Sequence, residues 1–438
     1  MYTFFCKFME ENFMADILTG INNFVWGSGL IFLLIGAGIV FTVKLGFIQL
    51  KLPVFMMKGG KTKNSGLSQL KTVCMSLGTT MGTGNIAGAA SALAIGGAGS
   101  IFWMWVSAFL GMAVVYAENF LSAKFSDGRR KGPMAYLEKG LGCKWLAMSF
   151  AVFCILASLG MGSMAQISTF AESFRECCNF EPLIMAAIIF VVVYIIIKGG
   201  AERIGTAAQY LLPLASAAYA VVCIAVIVIC RDQAAMVFRT IFSEAFSADS
   251  AAGGIFGYGL SVGIRRGVFS NEAGLGSSPI LHSAAGETSP HQQGMWAMFE
   301  VFFDTIVCCT LTAVTLLCGS EHFSPAEAME NAIGCLAVPF TAAEMGIFAL
   351  CTVIGWYFCG ETAFKYAFGS KRSPFFTVLY AAAAASGAVI SAGCVWTLSD
   401  IFNGLMAIPN LLGILLLMKF IKKKDTRPQL YNSPESKQ

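Results

Sequence analysis

Apolar residues run through this chain in stretches of about twenty, the length that carries a helix across a bilayer, and eleven of them can be marked off. They lie near 24–43, 72–96, 99–123, 145–170, 183–200, 205–230, 252–280, 294–318, 341–364, 375–397 and 400–420. The second and seventh are each interrupted by an Asn-x-Ala-Gly sequence, Asn85-Ile86-Ala87-Gly88 and Asn271-Glu272-Ala273-Gly274. Small residues surround both: Gly82, Thr83 and Gly84 before the first, and Ser270, Gly276, Ser277 and Ser278 about the second. In lipid a helix satisfies its own backbone, and loose backbone at that depth survives only where it lines a protein cavity. Two broken stretches therefore predict a binding site in mid-membrane.

Composition agrees with this pattern. Hydrophobic residues make up 56% of the 438 and charged residues 12%, about half the charged share of a soluble domain. The sequence predicts an all-α polytopic membrane protein. The net charge of +4 comes from short loops and a tail, so lipid headgroups and not nucleic acid are the anionic neighbours expected. The 15 cysteines do not indicate a disulfide framework. Cys74, Cys154, Cys223, Cys308, Cys309 and Cys351 fall inside apolar runs without metal-ligand spacing, where a free thiol acts as a small hydrophobe. The N-terminus shows no cleavable signal pattern, so the first apolar run is expected to remain as a helix.

Loop charge predicts orientation, because cytoplasmic loops collect Lys and Arg. Lys51, Lys58, Lys61, Lys63 and Lys71 follow span 1, and Lys124, Arg129, Arg130, Lys131, Lys139 and Lys144 follow span 3. Lys365, Lys371 and Arg372 follow span 9, and the tail carries Lys419, Lys422, Lys423, Lys424 and Arg427. The opposite loops hold Glu172, Glu176, Glu181, Glu321, Glu327 and Glu330. This places the N-terminus outside and the C-terminus in the cytoplasm. Spans 2–6 and 7–11 then read as two five-helix repeats of opposite orientation, broken at matching places, which is the sequence pointer to a transporter's site. The expected segments are an extracellular N-terminal piece (1–23), an extra helix with its basic cytoplasmic loop (24–71), a first repeat (72–230), an extracellular connection (231–251), a second repeat (252–420) and a cytoplasmic tail (421–438).

Each break also has a plainer reading. Gly84 and Gly88 form a GxxxG spacing, which serves close helix packing, although Thr79, Thr80, Thr83 and Asn85 bring more polar groups than packing needs. Gly82-x-Gly84 is part of a dinucleotide fingerprint, but that motif requires a βαβ unit. As a binding site, a break offers free N–H groups and a positive dipole end to a carboxylate. Its unwound carbonyls and side-chain oxygens suit sodium. Glu118, Glu272, Asp304 and Glu361 are intramembrane acids and functional candidates by default. Glu118 and Glu361 lie near inner span ends, where snorkelling is the simpler expectation. Glu272 can hold the unwound backbone or pair with a neighbouring cation, and Arg265 and Arg266 can gate the outer vestibule or cap the half-helix. Gly259-Leu-Ser261-Val-Gly263 fits a nucleophile elbow in pattern only, since that motif needs a strand-to-helix turn and a base. No enzyme activity is expected.

The run Gly82-Thr-Gly-Asn-Ile-Ala-Gly88, followed by Phe102-Trp-Met-Trp105 and Ala117-Glu118, resembles the alanine or glycine:cation symporter family. So do Phe269-Ser-Asn-Glu-Ala-Gly-Leu-Gly276 with Pro279 and His282, Asp304-Thr305, Gly355-Trp356 with Gly360-Glu361, and Asn403-Gly404-Leu-Met-Ala-Ile-Pro-Asn410. The resemblance implies sodium-coupled uptake of alanine or glycine across a prokaryotic plasma membrane. It also implies the LeuT-like fold of the neurotransmitter-sodium-symporter superfamily, with two inverted five-helix repeats plus one extra N-terminal helix, about 11 in all. It would set the substrate carboxylate near Gly82, Thr83 and Gly84 and the amino group near Phe269 and Ser270. Gly274, Gln166, Thr352 and Trp356 would complete the pocket, and Asn85, Asn271 and Thr352 would hold the co-transported sodium ion. Thr352 and Trp356 are four apart and share a helix face, so a bulky indole there leaves room for a small side chain. Another solute such as glutamine, or coupling to protons through Glu272, remains open. The oligomeric state is open too, a monomer being one possibility.

Overall fold

The structure, a computed structural model, describes residues 12–57, 69–127, 130–178, 180–246, 257–284 and 289–422. Each expected apolar stretch carries helix. Besides the short helices Leu52–Met57 and Gly132–Ala135, the elements include α1 (Asn12–Val25), α2 (Ser28–Lys44), α3 (Gln69–Thr80), α4 (Ala89–Gly96), α5 (Gly99–Phe125), α6 (Lys144–Leu159), α7 (Gln166–Cys177), α8 (Pro182–Ile197) and α9 (Gly200–Ile229). They continue with α10 (Arg231–Ala245), α11 (Tyr258–Asn271), α12 (Ser278–His282), α13 (Pro290–Val301), α14 (Thr310–Gly319), α15 (Pro325–Ile333), α16 (Ala337–Phe368), α17 (Ser373–Ser386) and α18 (Ala392–Leu416). No strand occurs among the described residues. Among the described residues, seven helices are long and apolar enough to cross a membrane by length and composition.

Helix also appears where only connections were expected. α1 occupies part of the expected N-terminal piece, because Ile17, Ile21 and Phe24 recur at helical spacing on its exposed side. α10 and α15 occupy connections that loop charge places outside, and Ser324 caps α15 by accepting from the Glu327 N–H at 3.4 Å. Lys58, Lys61, Lys63, Arg129, Lys423, Lys424 and Arg427 lie outside the described residues, as do 252–256 of the seventh stretch.

Burial is sorted as a membrane protein requires. Leu183, Ile184, Ile188, Val191 and Ile195 of α8 and Leu214, Val221, Ile224 and Val228 of α9 are exposed, while Asn85, Gln166, Asn271, Asp304 and Asn410 are buried. The apolar side chains face outward to hydrocarbon and the polar ones turn inward. Among the described residues the cysteines are free.

With lipid tails as apolar as leucine, helix association depends on close packing through small residues. A Cβ at Gly263 of α11 would stand 2.3 Å from the Ser100 carbonyl oxygen of α5, and one at Gly294 of α13 would stand 2.5 Å from the Tyr116 ring. Through these glycines α11 and α13 lie against α5. The GxxxG pair in the first break behaves differently. Nothing lies within 4 Å of a Cβ at Gly88, so Gly84 and Gly88 do not form a packing face.

Both interrupted stretches are broken as expected. The first is α3, an irregular turn at 81–83, a π-helical stretch Gly84–Gly88 and α4. The second is α11, an extended turn, and α12. In that turn Glu272, Gly274 and Gly276 have φ of 56°, 89° and 81°. Glycine takes this left-handed region freely, whereas a glutamate there is strained by roughly 1–2 kcal/mol. Two further π-helical stretches, Gly160–Ala165 before α7 and Phe302–Cys309 between α13 and α14, flank the breaks. Such widened turns gather at functional sites.

Candidate functional site

At the first break the Gly82 N–H turns back to the Thr80 carbonyl at 2.8 Å, and the Thr83 N–H is met by a side chain. Gln166, placed by the π-helical stretch ahead of α7, brings its Oε1 to the Thr83 N–H at 3.1 Å and the Thr83 hydroxyl at 2.9 Å. Its amide donates back to the Met161 carbonyl at 3.1 Å. From α16, the Thr352 hydroxyl donates to the Gly78 carbonyl at 3.1 Å. Both side chains converge on Gly82, where a Cβ would lie 2.3 Å from Thr352 Oγ1 and 2.8 Å from Gln166 Oε1. Only glycine fits there. Gly84 faces the second break, with Phe269 Cδ1 3.4 Å and the Ser270 Cα 3.7 Å from its Cβ position.

The two breaks are joined by Asp304, in the π-helical stretch after α13. The Asn85 amide donates to Asp304 Oδ1 at 2.7 Å and to the Asp304 carbonyl at 3.0 Å. The Ser270 and Thr305 hydroxyls donate to Asp304 Oδ2 at 2.7 and 2.9 Å. Asn271 holds its own turn: its Oδ1 accepts from the Ala273 N–H at 3.0 Å and its amide donates to Thr305 Oγ1 at 3.2 Å. Asn85 Oδ1 is buried without a partner, a cost of about 1–3 kcal/mol unless something meets it. An uncommitted amide oxygen, a carboxylate and two hydroxyls make a hard oxygen set suited to a small cation.

Glu272 faces away from this cluster. It accepts from the Trp356 indole N–H at 2.7 Å and from the Ser277 hydroxyl, so its carboxylate fixes the turn and the indole together. Trp356 is fully buried, and a Cβ at Gly162 would lie 2.5 Å from the Trp356 Cβ. Beyond Gly274 the Asn410 amide donates to the Gly274 carbonyl at 2.8 Å and to Glu118 Oε1 at 2.5 Å, and accepts from the Tyr136 hydroxyl. Glu118 is fully buried and does not snorkel, because the bonded Asn410 keeps it inside. Glu361 fits an interfacial position better, pairing with Lys365 at 2.9 Å.

In α11, ahead of the second break, Arg265 and Arg266 approach Asp400 Oδ2 of α18 at 3.3 and 3.6 Å. The Arg266 guanidinium lies 5.1 Å from the Trp396 ring centroid, and that ring stacks on Phe269 at 4.7 Å. Phe269, Ser270, Asn85 and Thr352 are all buried. Sequence reasoning marked Asp304 as an intramembrane acid but gave it no partner, and it missed Asp400, Trp396 and the Ser76–Glu300–His282 contacts (2.6 and 3.1 Å). An aspartate in the apolar run 294–318 was the available signal for the first. Ser261 sits within α11, bonded into the helix through its N–H, not on a strand-to-helix turn.

Two broken helices that meet over buried oxygen donors, inside an all-helical body with an apolar outer surface, define a membrane transporter. The chain belongs to the sodium:alanine symporter family, whose model matches residues 11–433. It is 36% identical over 428 residues to the sodium/alanine symporter AgcS of Methanococcus maripaludis, covering 92% of this chain and 94% of that protein. It is 35% identical to the probable sodium/glutamine symporter GlnT of Bacillus subtilis (94% and 90% covered). A third relative, the putative sodium/proton-dependent alanine carrier protein YrbD of the same bacterium, is 32% identical (93% and 90% covered).

Proposed function

We propose that this chain is a sodium-coupled symporter of a small neutral amino acid, alanine or glycine, working by alternating access between two inverted repeats. In this reading eleven spans cross a prokaryotic plasma membrane in a LeuT-like arrangement, with the N-terminus outside and the C-terminus inside. The observation that carries it is the Asp304 junction, where side chains from both breaks share one carboxylate beside the unpartnered Asn85 Oδ1. Sodium binding there draws the two broken helices together, which makes ion occupancy a condition for closing the site.

The substrate carboxylate goes to the first break, at the N–H groups of Gly82, Thr83 and Gly84, where it would displace the Thr80 carbonyl from the Gly82 N–H and Gln166 from the Thr83 N–H. The amino group meets carbonyls near Phe269 and Ser270, and Gly274 shapes the turn behind them. Trp356, held between Glu272 and Gly162, limits the side chain to something small. A larger cargo such as glutamine, as GlnT's name indicates for that protein, requires this indole to move. Thr352 braces the first break through Gly78 and can add its oxygen to sodium. Sodium coupling is favoured over proton coupling because Glu272, the acid within the break, is already engaged by Trp356 and Ser277.

The test is equilibrium binding of labelled alanine to purified protein in sodium or in potassium. Binding that rises with sodium and saturates is expected. Equal binding in both salts refutes the coupling.

A further inference from the structure

The helix pair α1–α2 lies outside the two expected repeats, yet its hinge residue reaches the outer closure. Trp26, between the two helices, is 4% exposed. Its indole N–H donates to the Asp400 carbonyl oxygen of α18 at 2.7 Å, and its ring lies 5.5 Å from the Arg265 guanidinium. One turn further along α18, Gly404 leaves room for the indole: a Cβ there would lie 2.3 Å from Val25 Cγ1 and 3.1 Å from Trp26 Nε1.

Trp26 therefore touches both partners of the Arg265–Asp400 pair, one through its edge and the other through its face. A buried hydrophobe filling space needs neither contact. The indole N–H fixes the backbone that carries the Asp400 carboxylate, and the ring holds the guanidinium that this carboxylate receives. We propose that Trp26 is a positioning residue of the outer gate, through which the extra N-terminal helices set how readily Arg265 and Asp400 part. The proposal rests on the transport reading for its effect on uptake. Its effect on access can be read without transport.

Trp26→Phe keeps an apolar ring and removes the N–H. Cys309 lies beside the second break, its Sγ 3.3 Å from Oγ of Ser270, the residue after Phe269, and can report access as the sole remaining cysteine. Right-side-out vesicles are treated with a membrane-impermeant maleimide, and alanine uptake is measured in parallel. Trp26→Phe is expected to raise Cys309 labelling and the KM for alanine together by roughly three- to tenfold, at unchanged Vmax per inserted protein. Gly404→Ala, which displaces the same indole, is expected to do likewise. In a double-mutant cycle Trp26→Phe and Arg265→Gln should be non-additive, since the first frees the backbone that carries the Asp400 carboxylate and the second removes the guanidinium which that carboxylate receives.

Unchanged labelling and KM in both variants, or a fall in Vmax alone, or strict additivity, overturns the proposal. Should the parent protein show no uptake while labelling responds to Trp26→Phe, the transport reading fails and the gate assignment stands.

Discussion

Replacing Asp304 by asparagine removes one charge from the junction of the two breaks and leaves its shape. In the parent, Asn85, Ser270 and Thr305 all donate to this carboxylate, at 2.7, 2.7 and 2.9 Å. With an amide in its place, one NH2 must face donors, so the cluster cannot stay fully satisfied. A cation about 4 Å from a unit charge gains roughly 4 kcal/mol at an effective dielectric constant near 20. Easier desolvation of the neutral site returns part of this, and a net loss of about 2 kcal/mol corresponds to roughly thirtyfold in affinity. Asp304→Asn is therefore expected to raise the sodium concentration for half-maximal alanine uptake by about thirtyfold, with a smaller change in alanine KM at saturating sodium. The assay is a sodium titration of labelled alanine uptake at constant ionic strength, normalised to inserted protein. A sodium requirement within twofold of the parent, with uptake retained, would refute the placing of the ion at this junction.

Gly82→Ala should weaken alanine binding at least tenfold while insertion stays near normal, because its Cβ enters the space of Thr352 Oγ1 and Gln166 Oε1; titration with labelled alanine checks this. Trp356→Phe leaves Glu272 without its indole donor and widens the pocket. Thermal unfolding should fall by an amount equivalent to about 1–3 kcal/mol, and competition assays should show larger amino acids gaining on alanine. In the basic connection after α5, the hydrogen bond from Lys139, followed by the Arg130 N–H, holds the Asp127 carboxyl well below the usual carboxylate range. A carboxyl depressed in the folded state stabilises above its unfolded pKa, and that contribution is lost as pH falls toward the folded one. The Tm advantage of the parent over Asp127→Asn should thus be constant above about pH 5 and shrink on further acidification.

The breaks were legible because membrane-length apolar runs punctuated by Asn, Gly and Thr conflict with the rule that a lipid-embedded helix satisfies itself. Local sequence carries that conflict at Gly82–Asn85 and Ser270–Gly274, so both were found without a structure. Pairing across the fold was not legible. Asp304 is 219 residues from Asn85 in sequence, and nothing local says which break an aspartate in α13–α14 will face. Glu118 shows the same limit, since its position near a span end suggested the interface until Asn410, 292 residues away, was seen to hold it inside. Trp26 was invisible for a related reason. An indole beside an extra helix reads as packing or an interface anchor, and only the Asp400 carbonyl and the Arg265 guanidinium distinguish it.

The central claim is that a sodium gradient drives a small neutral amino acid through this protein. Purified chain reconstituted in liposomes and given labelled alanine under an inward sodium gradient should accumulate it above equilibrium, and replacing sodium by potassium or by a proton gradient should abolish the accumulation. Uptake that proceeds equally without sodium, or no sodium-driven uptake of alanine, glycine or glutamine, would contradict the account.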